Sequence, residues 1–416
     1  MKEKFSVLDL LRFALALYLT LFHSIHQYPQ SRDVPLIDLA GMGGFVTSTF
    51  FILSGFILAH VYFGESVSMR GGFRQFFVKR LSNLYVIHFV GLLFFFAVAL
   101  VSTHAVTSFA LMSLDDRPEV TVVLTPAVTT LNVVLNALLL QVWNPLYGSI
   151  NPSSWSLAVL LFFYLSFPFA APRLLAARSK PLILSLLWGA YLMPPILAGV
   201  FHWYEPVAVG TILRNPVLRL PEFFAGILLY GMFRDGMLAP IASASSRRVV
   251  VLLFVGGCFA WGAWLLAHGA GYWRYLVHNG AMMPAEIALI AVCAQVKVPE
   301  QCERFASRLG NSALSIFVIH APIFMVTMKA TKLLSMGISP FRCAAHFASS
   351  CRCGMLFVAS CFRTGTRKRN RTQLVREAKR NALARSSPRW PHARKTIFRR
   401  VWPATAASVQ FPLFVP

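Results

Sequence analysis

Three ionisable side chains interrupt an otherwise apolar run near the start of the chain: Asp9, Arg12 and His23 in LDLLRFALALYLTLFH. A charged group at mid-helix in hydrocarbon costs at least about 2.5 to 3.5 kcal/mol, so such residues are expected to serve a function. At 100° per residue, the step from Arg12 to His23 closes to within about 20° of three full turns. Both side chains therefore share one helix face, roughly 16 Å apart. Asp9, three residues before Arg12, is spaced to pair with it. A histidine with a pKa near 6.5 suits proton transfer at neutral pH, and an arginine on the same face suits an anion. The alternative is that Arg12 snorkels to one headgroup layer and His23 to the other.

Other chemistry-bearing positions are spread along the chain. Ser54 and Gly55 interrupt FFILSGFILAHVY, where they would let a second backbone approach or bend the helix. Lys79 and Arg80 place two positive charges just before an apolar stretch, either to hold a phosphate-rich ligand or to set orientation. Trp155 lies in NPSSWSL, Arg219 and Glu222 are spaced to pair in LRLPEFFAGILL, and His320 ends LGNSALSIFVIH. Cys258, Cys293 and Cys302 are scattered, and Cys343, Cys351, Cys353 and Cys361 crowd the last quarter, with no spacing that argues for a metal.

The elements that must position these groups are membrane helices. Of the 416 residues, 56% are hydrophobic and only 13% charged, against about 25% charged in an ordinary soluble domain. Stretches long enough to cross about 30 Å of hydrocarbon recur near 6–25, 43–63, 84–104, 122–142, 155–172, 181–202, 212–233, 249–268, 280–296 and 311–328. The expected fold is thus an all-α, polytopic membrane helical bundle of about ten helices over residues 1–330. The first stretch reads as a retained helix rather than a cleaved leader, because it is long and carries Arg12 and His23.

Lys2, Lys4, Arg70, Arg74, Lys79 and Arg80 against Asp115, Asp116 and Glu119 place the N-terminus in the cytoplasm. Keeping Arg173, Arg178, Lys180, Arg234, Arg247 and Arg248 inside as well requires that 122–142, with Pro126 and several polar residues, fail to cross completely. The formal charge of +24 is mostly a tail property. Residues 1–328 hold 21 basic and 14 acidic residues, whereas 329–416 hold 18 basic residues and only Glu377 as an acid. The atypical tail, 331–416, reads as frameshifted near residue 340 or as disordered. A polybasic membrane-surface segment is the next reading, and a nucleic-acid arm the last, since no aromatic interleaving accompanies the charge.

In this order the motifs resemble the acyltransferase 3 family of bacterial membrane acyltransferases, from about residue 5 to residue 325. Arg12 and His23 match its Arg, ten residues, His signature, and Phe50 to Phe56 its FF-x-x-SGF segment. Trp155 to Leu157 match its WSL segment, Arg219 to Gly226 its LR-x-x-EF-x-x-G segment, and Ser312 to His320 its last helix. The resemblance implies an O-acyltransferase of the bacterial inner membrane that uses acyl-CoA, in the first instance acetyl-CoA, as co-substrate with no bound cofactor or metal. Its acceptor would be a glycan, glycolipid or other envelope hydroxyl, as in polysaccharide acetylation.

In that reading His23 and Arg12 are catalytic, and Lys79 and Arg80 bind the donor. Asp9, Ser54, Trp155, Arg219, Glu222 and His320 support them. The chain departs from the pattern at Leu160, where the family carries Glu, at Asn83, where it carries Arg, and in the tail. A transporter or flippase, and an inactive, truncated family member, are the alternatives.

Overall fold

The computed structural model describes residues 5–25, 37–64, 69–101, 108–111, 114, 120–146, 148, 150–242 and 244–333. The tail beyond 333, with its four cysteines, and the acidic residues Asp115, Asp116 and Glu119 lie outside the described residues, as do Lys2 and Lys4. The helices are α1 (Ser6–Ile25), α2 (Gly43–Tyr62), α3 (Gly72–Val101), α4 (Pro126–Ala137), α5 (Ser154–Ala176) and α6 (Lys180–Val200), followed by α7 (Pro206–Arg214), α8 (Leu220–Arg234), α9 (Ser245–His268), α10 (Gly271–His278), α11 (Met283–Gln295) and α12 (Glu300–Leu333). One short antiparallel hairpin, β1 (Ser108–Leu111) with β2 (Val120–Val123), joins α3 to α4, an addition to the all-helical expectation.

Among the described residues, eight helical segments are long and apolar enough to cross a membrane, so the protein is a multi-pass membrane helical bundle. Every apolar stretch read from the sequence forms helix, but with different bounds. The stretch 122–142 contains only the 12-residue α4, about 18 Å long and too short to cross about 30 Å of hydrocarbon. Its start is fixed locally, since Thr125 accepts from the Val128 N–H and Pro126 occupies the first turn, where its missing N–H costs nothing. The stretch 212–233 breaks at Asn215 into α7 and α8.

Within lipid, apolar burial cannot drive helices together, so close packing and polar contacts must. α2 and α8 cross where each offers a glycine. A Cβ on Gly55 would collide with the Phe223 carbonyl, and one on Gly226 with the Ile52 carbonyl. α2 thereby becomes the central helix, with Phe51, Ile52 and Phe56 buried, flanked by α1, α8 and α11. α12, last in the described chain, lies along α1, first in it, and α3 packs on α12.

Arg80, Lys180 and Arg234 lie at one end. Lys180 at the start of α6 bonds Asp235 at 2.6 Å, Arg234 reaches the Leu175 carbonyl at 3.1 Å, and Arg80 lies over the Tyr62 ring. Burial alone would raise the Asp235 pKa, but the hydrogen bonds and charges of Lys180 and Arg234 outweigh it and hold the carboxyl below its ordinary value. The opposite end carries the Asn144 loop and the Trp203 loop.

α5 must therefore place Asn144 and Arg178 on opposite sides of the membrane. With single cysteines at these two exposed positions in an otherwise cysteine-free chain, a membrane-impermeant maleimide should label one in intact cells and the other only after permeabilisation. Labelling of both from the same side would contradict the α5 crossing.

Candidate active site

The site begins with a proline. Pro322 has no N–H, so the Val318 carbonyl one turn earlier in α12 loses its helical partner. The Asn151 amide donates to that carbonyl at 3.1 Å, and the Asn151 Oδ1 accepts from the Ser153 N–H at 3.1 Å. Gly91 of α3 faces this contact, where a Cβ would press on Asn151 and Val318. The start of α5 is thus tied to the middle of α12, and the Ser153 hydroxyl comes to 3.4 Å from His320 Nε2.

His320, 3% exposed, meets His23 across the contact between α12 and α1, with its Nε2 3.1 Å from His23 Nδ1. His23 Nδ1 also lies 2.8 Å from the Leu19 carbonyl, and His320 Nδ1 lies 3.2 Å from that of Ile316. A carbonyl can only accept, so the network assigns the proton to Nδ1 on both rings. His23 Nδ1–H is then shared between Leu19 and the His320 Nε2 lone pair, to which Ser153 also donates. In this tautomer the neutral His23 ring has its proton on Nδ1, and the contacts to Leu19 and His320 orient the ring.

At the other end of the same stripe of α1, Arg12 pairs with Asp9 at 3.5 Å, and Asp9 accepts from Ser307 of α12 at 3.2 Å. A Cβ on Gly310 would strike Asp9, so this glycine lets the two helices close. Arg12 is within electrostatic range of Arg80 and of Tyr164 on α5. Leu160, buried one turn before Tyr164, puts a methyl-ended side chain on that face of α5.

Arg219 and Glu222 form a separate cluster. Both are buried, 2% and 0% exposed, and they pair at 3.2 Å. Arg219 donates to the Tyr191 hydroxyl at 2.7 Å, the His278 carbonyl at 2.8 Å, the Asn279 Oδ1 at 2.8 Å and the Ser48 hydroxyl at 3.2 Å. The Tyr191 hydroxyl in turn donates to Glu222 at 2.6 Å, and the rings of Phe51 and Trp155 lie within 6.0 Å of the guanidinium. This one side chain ties α2, α6, α8 and the loop after α10 together. Its role is to hold the bundle.

Of the sequence-predicted residues, the structure thus joins His23 with His320, Arg12 with Asp9 and Arg80, and Arg219 with Glu222 and Trp155. It leaves two apart. Ser54 turns back onto the Phe50 carbonyl of its own helix at 2.7 Å, and Lys79 is exposed. Sequence reasoning passed over Ser153, Tyr62, Tyr164, Tyr191 and Glu286. Glu286, buried on α11, was open to the same rule that singled out Arg12. The tyrosines were not: Tyr62 ends its helix, where a Tyr ordinarily marks the membrane interface, and Tyr164 and Tyr191, mid-helix, carry no charge. Among the described residues no three His, Cys, Asp or Glu side chains group as metal ligands.

The protein is thus a multi-pass bundle with a histidine pair between its first and last described spans and with Arg12 and Arg80 towards the other end of the same α1 face. A family profile described as an acyltransferase domain matches residues 5–351, and the chain belongs to that family, acyltransferase 3. It is similar to the acyltransferase MdmB of Streptomyces mycarofaciens, with 25% identity over 220 residues, covering 50% of this chain and 51% of that protein. The chain thus spans about half the length of the curated relative it matches. No solved structure matches it.

Arg219→Ala would strand the Glu222 carboxylate in the core. Removing one member of a buried pair costs about 3–5 kcal/mol, and the thermal midpoint in detergent should fall steeply. His23→Ala removes one end of the α1–α12 contact but strands no charge, so the midpoint should fall far less. Equal midpoints for the two variants would contradict the division between scaffold and site.

Proposed function

We propose that this protein is a membrane O-acyltransferase that moves an acyl group, in the simplest case acetyl, from acyl-CoA to a hydroxyl of a carbohydrate or other cell-envelope acceptor. The observation that carries this reading is the His23 ring, whose tautomer is fixed by the Leu19 carbonyl and His320 so that Nε2 is the base.

In the reaction, His23 Nε2 takes the proton of the acceptor hydroxyl as its oxygen attacks the thioester carbonyl carbon. The tetrahedral oxyanion then collapses, the C–S bond breaks, and the proton passes from the imidazolium to the departing thiolate. The products are an ester and free coenzyme A. While His23 is charged, the Leu19 carbonyl and the His320 Nε2 lone pair stabilise its Nδ1–H. Ser153 approaches the same nitrogen of His320. No covalent enzyme intermediate is needed.

The donor reaches His23 from the positive end. Arg12 and Arg80 suit its phosphates, and the stripe from Arg12 to His23 spans roughly 16 Å. An extended pantetheine arm, thirteen bonds from phosphorus to sulfur at about 1.2 Å each, covers about the same distance. Phosphates at Arg12 therefore put the thioester at His23. Under the positive-inside rule the positive end faces the cytoplasm, where acyl-CoA is made, and the His23 end opens towards the far side of a bacterial inner membrane and its envelope acceptors.

Purified protein, labelled acetyl-CoA and envelope glycans test the reading directly. Label should become covalently attached to the acceptor, and His23→Ala should lower the rate at least about a hundredfold with normal membrane insertion. Undiminished transfer by that variant would remove His23 as the base. Movement of substrate across the membrane without any label transfer would favour a transporter.

A further inference from the structure

Tyr62 closes α2 at the positive end and has a polar atom that the folded protein does not use. The residue is 6% exposed, and its hydroxyl is buried with no hydrogen-bond partner among the described residues. Its ring is held edge-on by Phe76 at 4.8 Å and by Phe167 at 6.3 Å, which fixes the direction of the hydroxyl. The Arg80 guanidinium lies over the ring, 5.1 Å from its centroid. Arg80 Nε is also buried and unpartnered. Tyr164 lies within electrostatic range of the Tyr62 hydroxyl, Arg80 and Arg12.

Leaving a buried hydroxyl unbonded is costly, and phenylalanine would fill the same space without that cost. Two guanidiniums held near one another repel, and Asp9 offsets only the first. A group of two cations and two hydroxyls is built to surround something that accepts hydrogen bonds and carries negative charge. A phosphate or diphosphate does both, because its oxyanions accept from several donors at once.

We propose that the Tyr62 hydroxyl is a ligand of the donor's phosphates, together with Arg80 and Arg12, so that Tyr62 helps the site distinguish acyl-CoA from thioesters that lack a phosphate. This rests on the acyl-CoA reading above. Tyr62 binds the donor and stands at the opposite end of the α1 stripe from the proton transfer at His23. The ring serves as the platform for Arg80, and the hydroxyl completes the phosphate shell.

Tyr62→Phe removes the hydroxyl and keeps the platform. In calorimetric titrations of the purified full chain in neutral detergent, coenzyme A should bind the variant about tenfold more weakly than wild type, the loss expected for one hydrogen bond to a charged group. The thermal midpoint without ligand should be unchanged. In activity assays the KM for acetyl-CoA should rise by a similar factor with kcat retained, while the rate with acetyl-N-acetylcysteamine, which has no phosphate, stays at the wild-type value. Unchanged coenzyme A affinity would overturn the proposal, as would equal losses with both thioesters. If Tyr62→Phe weakened binding of phosphatidylglycerol but not of coenzyme A, the occupant would be a lipid headgroup and the assignment would fall. If wild type bound no coenzyme A, the donor reading itself would fail.

Discussion

The contact between α1 and α12 is the constraint on which the rest of the site depends. Two helices from opposite ends of the described chain lie side by side, and the polar groups of each are answered by the other. Asp9 meets Ser307 beside the small Gly310 at one end, and His23 meets His320 at the other. Within hydrocarbon, a polar group without a partner carries a heavy penalty. A sliding or rotation of α12 against α1 would break both contacts together. The same pairing that holds the two helices in register therefore sets the distance between anion-binding and proton-transferring groups.

Around this seam the bundle separates binding the helices together from doing chemistry. Arg219 is tied to a carboxylate, two hydroxyls, an amide oxygen and a backbone carbonyl from four parts of the chain, although its Nε, 3.2 Å from Glu222 Oε2, makes no hydrogen bond. A guanidinium whose two terminal nitrogens are bonded to the bundle itself serves first to hold the helices together. Arg12 and Arg80 are the contrast, near one another and underneutralised. The His23 ring is oriented through its Nδ1, by the Leu19 carbonyl and by His320. A prolyl ring contributes at a distance, since the carbonyl that Pro322 releases anchors Asn151 and, through it, Ser153 against His320.

Much of this was legible in the sequence, for reasons of cost. Long apolar runs point to membrane helices, eight of which among the described residues are long enough to cross, and the common face of Arg12 and His23 follows from helix geometry alone. The shortness of α4 was foreshadowed by the charge pattern, which required 122–142 not to cross. What the sequence could not disclose is pairing between distant elements. Nothing local says that His320 would meet His23 rather than serve as an isolated core histidine, or that Ser54 would bond its own helix. Lys79 and Arg80 are adjacent, so helix geometry points them about 100° apart, and only packing decides that Arg80 turns inward. Tyr62 was hidden because its type and position are what any membrane interface shows, and Tyr164 because an uncharged side chain in mid-span does not stand out.

The central claim is that His23 and His320 act as one unit, the second orienting the first. A double-mutant cycle on acyl transfer, with His23→Gln, His320→Gln and the pair, measures that coupling directly. If His320 works through His23, the double variant should be no slower than His23→Gln alone. Losses that multiply, each histidine contributing its full factor in the absence of the other, would show two independent groups and contradict the account.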